Sequence, residues 1–90
     1  MPYFVYLIVS NKKKSLVSYV GYTNNLNKRI DQHNTGKGAK FTRGQSWRLI
    51  YKKKYTLKRT AMIEEYKLKK NYKLRNIIKN KYLDSTSNKI

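Results

Sequence analysis

The chain contains no cysteine, which excludes disulfide staples and thiolate metal centres and leaves the fold to stand on packing. Acidic residues are nearly as scarce: Asp31, Glu64, Glu65 and Asp84 are all four of them, against 22 Lys and Arg. A two-metal hydrolytic site, which draws on several carboxylates, is therefore disfavoured. His33 is the one histidine, which rules out a multi-histidine zinc site. Long apolar runs are missing too. The stretch from Tyr3 to Val9 cannot span a bilayer, and it lacks the basic n-region and small-residue cleavage site of a signal peptide. We expect an intracellular chain, cytoplasmic or nucleoid-associated, with no membrane partner.

Positive charge is what the chain has in abundance. A net charge of +18 over 90 residues calls for a polyanion, and nucleic acid is the default partner. The same charge fits a ribosome-type or generic basic protein, so charge alone does not separate binding from catalysis. Ninety residues suffice for one domain with a modest core. No internal repeat and no linker-like stretch divides them.

Tyr3 to Val9 is continuously apolar and rich in β-branched and aromatic residues, the composition of a central strand buried on both faces. A polar run from Ser10 to Ser15 can turn the chain into a second strand, Leu16 to Val20, which Gly21 ends. Thr23 or Asn24 can cap a helix that begins near Asn25, with Leu26, Ile30 and His33 on one face and Gly36 as its stop. Thr35 to Gly44 reads as a basic, glycine-rich loop, and Trp47 to Tyr51 as a third strand. A second helix follows from about Leu57 to Asn71, and Tyr72 to Lys81 can form a further short one. The fold class is α+β: a small three-stranded antiparallel sheet flanked by helices, in the order ββαβα with that extra helix. Residues 1–82 make the domain, and 83–90 read as a flexible C-terminal tail.

Metal-assisted phosphate chemistry needs an acidic ligand, and Mg²⁺ is content with one or two carboxylates because water and substrate phosphate fill its remaining positions. Roughly 100° per residue places Leu57, Ala61, Leu68 and Tyr72 on one stripe of the second helix, with Glu65 well inside it and Glu64 at its edge. An inward carboxylate calls for a compensating cation, which makes Glu65 the site candidate. The alternative is a surface ion pair with Lys58 or Lys69.

Phe4-Val5-Tyr6 followed by Tyr19-Val20-Gly21 resembles the paired GIY and YIG motifs of GIY-YIG nucleases, on two adjacent strands as that family has them. Leu26 to Asn34 is similar to the family's first helix with its Arg and His. Thr35 to Gly44 resembles the glycine-rich loop of the short stand-alone, UPF0213-like subfamily, and Glu65 to Lys70 its metal-binding helix. The similarity runs from about Tyr3 to Asn80. Phe4 stands where the motif has Gly, a departure common in this subfamily, and the lysine-rich hairpin turn is somewhat long.

The resemblance implies a nuclease that hydrolyses DNA phosphodiester bonds with one Mg²⁺ or Mn²⁺. Tyr6 and Tyr19 match the motif tyrosines, Arg29 the helix arginine, His33 the residue one turn later and Glu65 the metal ligand. On that assignment Arg29 grips the scissile phosphate with its planar fork, and Tyr6 or Tyr19 orients or deprotonates the water. A phenol with a pKa near about 10 needs neighbouring cations for the latter role. His33 either assists proton transfer, positions a phosphate, or is a satisfied helix histidine. Lys37, Lys40 and Arg43 are the candidate phosphate contacts. Lys12 to Lys14 and Lys52 to Lys54 add nonspecific charge. Phe41 and Trp47 could stack on bases, although core packing suits Trp47 better. DNA is the expected substrate, with RNA also compatible. Two other readings keep the fold without cleavage, as a nucleic-acid-binding module or as an accessory subunit whose protein partner selects the substrate.

Overall fold

The computed structural model of the protein describes residues 1–12 and 15–87. Three strands, β1 (Tyr3–Lys12), β2 (Ser15–Thr23) and β3 (Arg48–Tyr55), form one antiparallel sheet in the order β2-β1-β3. Helix α1 (Leu26–Asn34) lies between β2 and β3 in sequence, and α2 (Lys58–Lys70) and α3 (Tyr72–Ser87) follow β3. Lys13 and Lys14 of the first lysine run, and residues 88–90 of the expected tail, lie outside the described residues.

Strand β1 is central, as its unbroken apolar run requires, and Val5 to Ser10 are all buried. Side chains alternate across a pleated strand. Val5 and Leu7 therefore join Val20, Ala61 and Leu68 in a cluster on the face covered by α2. Tyr6 and Ile8 join Trp47 on the opposite face, where Leu26 and Ile30 of α1 pack. The β1–β3 pairing shifts between Leu7 and Ile8, whose partners are Tyr51 and Leu49. This bulge leaves Ile50 unopposed and lets Ile50 and Tyr51 both reach the α2-side core.

Several boundaries differ from those read in the sequence. Strand β2 continues past Gly21 to Thr23 because β1 offers it a partner down to Phe4. The cap of α1 is Asn25, whose Oδ1 accepts the Lys28 N–H at 3.2 Å. Thr23 instead accepts the Asn25 N–H on its hydroxyl at 3.1 Å and so sets the cap's angle. Gly36 does stop the helix: with φ at 80° it takes the left-handed position, and the Lys37 N–H reaches back to the Gln32 carbonyl at 2.8 Å. Helix α3 runs to Ser87, so residues 83–87 are helical where the sequence reads as tail. Asn71 alone separates α2 from α3, and its side chain accepts the Leu74 N–H at 3.0 Å. Among the described residues no helix is long and apolar enough to cross a membrane.

Candidate active site

Tyr6 and Tyr19 project from neighbouring strands onto the face that α1 covers. Tyr6 lies directly opposite Gly21 in the β1–β2 register. A Cβ at Gly21 would overlap the Tyr6 hydroxyl and its ring, so the glycine of the second motif makes room for the phenol of the first. Tyr19 is half-buried, with its ring 5.1 Å from that of His33 and stacked on Phe41 at 6.2 Å.

One turn apart on α1, Arg29 and His33 share the face turned to the sheet. His33 is fully buried and bonded at both ring nitrogens: Nε2 to the Tyr6 hydroxyl at 2.7 Å and Nδ1 to the Thr42 hydroxyl at 2.9 Å. Burial, reinforced by the Arg29 charge, holds its pKa down to about 4, so the imidazole is neutral at pH 7. Burial pushes the Tyr6 phenol up, and the Tyr19 and Glu65 charges add to this. The Arg29 guanidinium beside the phenol opposes the rise. Arg29 itself is half-buried and donates from Nη1 to the Gln32 side chain at 3.2 Å.

Glu65 takes its orientation from one sequence reading and its lysine partner from the other. Its side chain is only 15% exposed, so it does turn inward, yet its carboxylate meets Lys69 Nζ at 3.3 Å. Glu64 is more open and pairs with Lys67 at 3.2 Å. Leu57 and Tyr72, expected on the buried stripe of α2, are 64% and 65% exposed. Leu57 is the N-cap position of α2 and Tyr72 the first residue of α3, so both stand outside the helix that the stripe describes. Glu65 comes from the helix opposite α1, and its carboxylate is coupled to Tyr6 through charge.

Among the described residues no three metal-binding side chains converge. The donor set that remains is one shielded carboxylate, which fits Mg²⁺ or Mn²⁺ completed by water and phosphate. Lys69, the ion-pair partner of this carboxylate, is itself half-exposed.

The ground around these groups is cationic. A cleft of about 550 Å³ opens beside Arg29, lined among others by Tyr3, Tyr22, Asn25, Lys28 and Lys58, with no acid in its wall. Lys37, Lys40 and Arg43 stand exposed on the segment after α1. Phe41 is 55% exposed and Trp47 only 4%, so Trp47 is core and Phe41 is open to a ligand. Sequence reasoning passed over Thr42 and Lys28 and weighed Lys58 only as an ion-pair partner for Glu65. No periodicity marks Thr42, and the two lysines are lost among many others.

A sheet that carries two motif tyrosines, backed by a helix with arginine and histidine one turn apart, defines a GIY-YIG nuclease-type domain. The family described as GIY-YIG catalytic domain matches residues 2–82, and the chain belongs to it. Its relatives include a UPF0213 protein of Oceanobacillus iheyensis, 54% identical over 52 residues, which are 57% of this chain and 60% of that one. A UPF0213 protein of Clostridium perfringens is 48% identical over 68 residues, 74% of this chain and 70% of its own length. The match thus spans less than two thirds of the first relative. The solution NMR structure of a UPF0213 protein from Bacillus halodurans is 37% identical, covers 90% of this chain and 86% of its own, and superposes with a TM-score of 0.48.

Proposed function

We propose that the chain is an endonuclease that hydrolyses phosphodiester bonds in DNA with a single Mg²⁺ or Mn²⁺ held by Glu65. The observation that carries this reading is the buried hydrogen bond between Tyr6 and a neutral His33, with Arg29 alongside both. Arg29 binds the scissile phosphate and balances charge as it gathers on the phosphoryl oxygens. The Tyr6 oxygen takes a proton from the attacking water while Tyr6 passes its own proton to His33 Nε2. No free phenolate is needed, so the raised pKa of the phenol is no obstacle. Phosphate on Arg29 also offsets the charge that disfavours a protonated His33. The water oxygen forms the new P–O bond, the P–O3′ bond breaks, and solvent protonates the departing oxygen. The ion, when bound, supplies Lewis-acid stabilisation of that leaving oxygen. Tyr19 flanks His33, and Lys37, Lys40 and Arg43 hold neighbouring phosphates.

A second reading, a binding module or accessory subunit without cleavage, draws on the Glu65–Lys69 pair, which gives the carboxylate a cationic partner within the chain. Purified protein with Mg²⁺ or Mn²⁺ and labelled DNA separates the two. We expect nicking that Glu65→Ala removes while DNA affinity is retained. Equal cleavage by the variant would reject the site. Absence of cleavage by the wild type on single-stranded, duplex and branched DNA and on RNA would favour the binding module.

A further inference from the structure

We infer that Thr42 is a positioning residue that fixes the imidazole tautomer of His33 and thereby decides which way the hydrogen bond to Tyr6 runs. A neutral imidazole has one N–H and one lone pair, and a threonine hydroxyl has a single proton. Thr42 donates that proton to the Ala39 carbonyl at 2.8 Å, and a carbonyl can only accept. Toward His33 Nδ1, 2.9 Å away, the Thr42 oxygen can then only accept, so Nδ1 carries the proton. Nε2 is left with its lone pair, and across 2.7 Å it accepts from the Tyr6 hydroxyl. Protons therefore point in one direction along the chain Tyr6, His33, Thr42, Ala39.

The consequence falls on Tyr6. Because its proton is committed to His33, its oxygen has only lone pairs left to offer, to the Arg29 guanidinium beside it and, on the proposed mechanism, to the attacking water. With the other tautomer, Nε2–H would donate into Tyr6 and the phenolic proton would turn toward Arg29, setting donor against donor. The structure around Thr42 holds this arrangement rigidly. Thr42 ends a short 3₁₀ turn (Lys40–Thr42) and is fully buried. Its carbonyl accepts the Trp47 indole N–H at 2.9 Å, and the Trp47 backbone is held by both ends of the Asn34 amide, at 2.6 and 3.2 Å. Gly38 lets this loop close on the imidazole, since a Cβ there would overlap His33 Nδ1.

The catalytic part of this inference rests on the proposed nuclease reading, whereas the tautomer does not. His33 is the single histidine, so a long-range ¹H–¹⁵N correlation spectrum of the labelled full chain at neutral pH shows one imidazole. We expect Nδ1 protonated and Nε2 bare in the wild type. Thr42→Val keeps the shape and removes the hydroxyl; it should shift the ring to Nε2–H or to a mixture and slow cleavage about a hundredfold. Thr42→Ser should restore both. A wild-type ring protonated at Nε2, or Thr42→Val with an unchanged tautomer, overturns the inference. If Thr42→Val does not fold, as circular dichroism would report, the wild-type tautomer and its retention in Thr42→Ser decide. Should the wild type cut no nucleic acid, the nuclease reading fails alone, and the tautomer measurement still judges Thr42.

Discussion

Tyr6 combines near-complete burial with a hydroxyl in contact with the titratable His33, which marks it as more than a core aromatic. Tyr6→Phe deletes one oxygen and keeps the packing. On the proposed mechanism it lowers kcat by about 10² to 10⁴ in single-turnover cleavage assays, and because it leaves the buried His33 Nε2 without its donor it also costs about 1–3 kcal/mol in urea melts. His33 gives a second test at this scale. Its folded pKa lies near 4, below the ordinary 6.5, so the unfolded chain binds the proton more readily in between. The stability this contributes is complete above pH 6.5 and is lost as the pH falls toward 4. Urea unfolding at pH 7 and pH 5 should show a fall in the wild type that is smaller in His33→Asn. Cleavage that needs a neutral imidazole should likewise persist below pH 6.5, and an acid limb above that value would contradict the role given to His33.

At the scale of elements, the two positions that shape the site are a cap and a glycine. Asn25→Ala removes the acceptor for the Lys28 N–H at the start of α1 and should cost about 1 kcal/mol in urea melts. It would also loosen the first turn before Arg29. Gly21→Ala forces a methyl into the Tyr6 ring and hydroxyl and should cost about 1–3 kcal/mol. Combined with Tyr6→Phe, part of that cost should disappear, and a double-mutant cycle measures the coupling. The same elements show what a sequence can disclose. The central strand was legible because a run apolar at every position, Tyr3 to Val9, has only one comfortable place in a small sheet. The stop at Gly36 was legible because a left-handed residue after a helix is a local requirement. The tyrosines, Arg29 and His33 were singled out by the resemblance to the family's motifs, since residue pattern by itself favoured core aromatics for the tyrosines. The extension of β2 through Gly21 was hidden, since a strand's length is set by its partner. The bulge at Ile50 was hidden for the same reason. Helix α3 beyond Lys81 was missed because Asp84-Ser85-Thr86-Ser87 carries no apolar periodicity. Thr42 escaped notice because its importance lies wholly in three-dimensional neighbours: His33 is nine residues earlier in the chain and Ala39 three.

For the molecule as a whole, the proposed function makes electrostatics the governing term in meeting DNA. With a net charge of +18, association on that reading should be fast and strongly dependent on salt. Among its many cations, only those that touch phosphate release counterions. Replacing Lys37, Lys40 or Arg43 by Ala should each reduce the slope of log affinity against log salt by about one on duplex DNA. Replacing Lys53, on the lysine-rich edge strand β3, should leave that slope nearly unchanged. Fluorescence anisotropy across a salt series distinguishes the two groups.

The sealing of His33 has a chemical consequence of its own. Carbethoxylation of imidazole by diethyl pyrocarbonate requires the reagent to reach a ring nitrogen, and both nitrogens of this ring are already occupied inside the protein. The native chain should therefore resist the reagent at that ring, with reaction proceeding only as fast as the 38–47 loop lifts away.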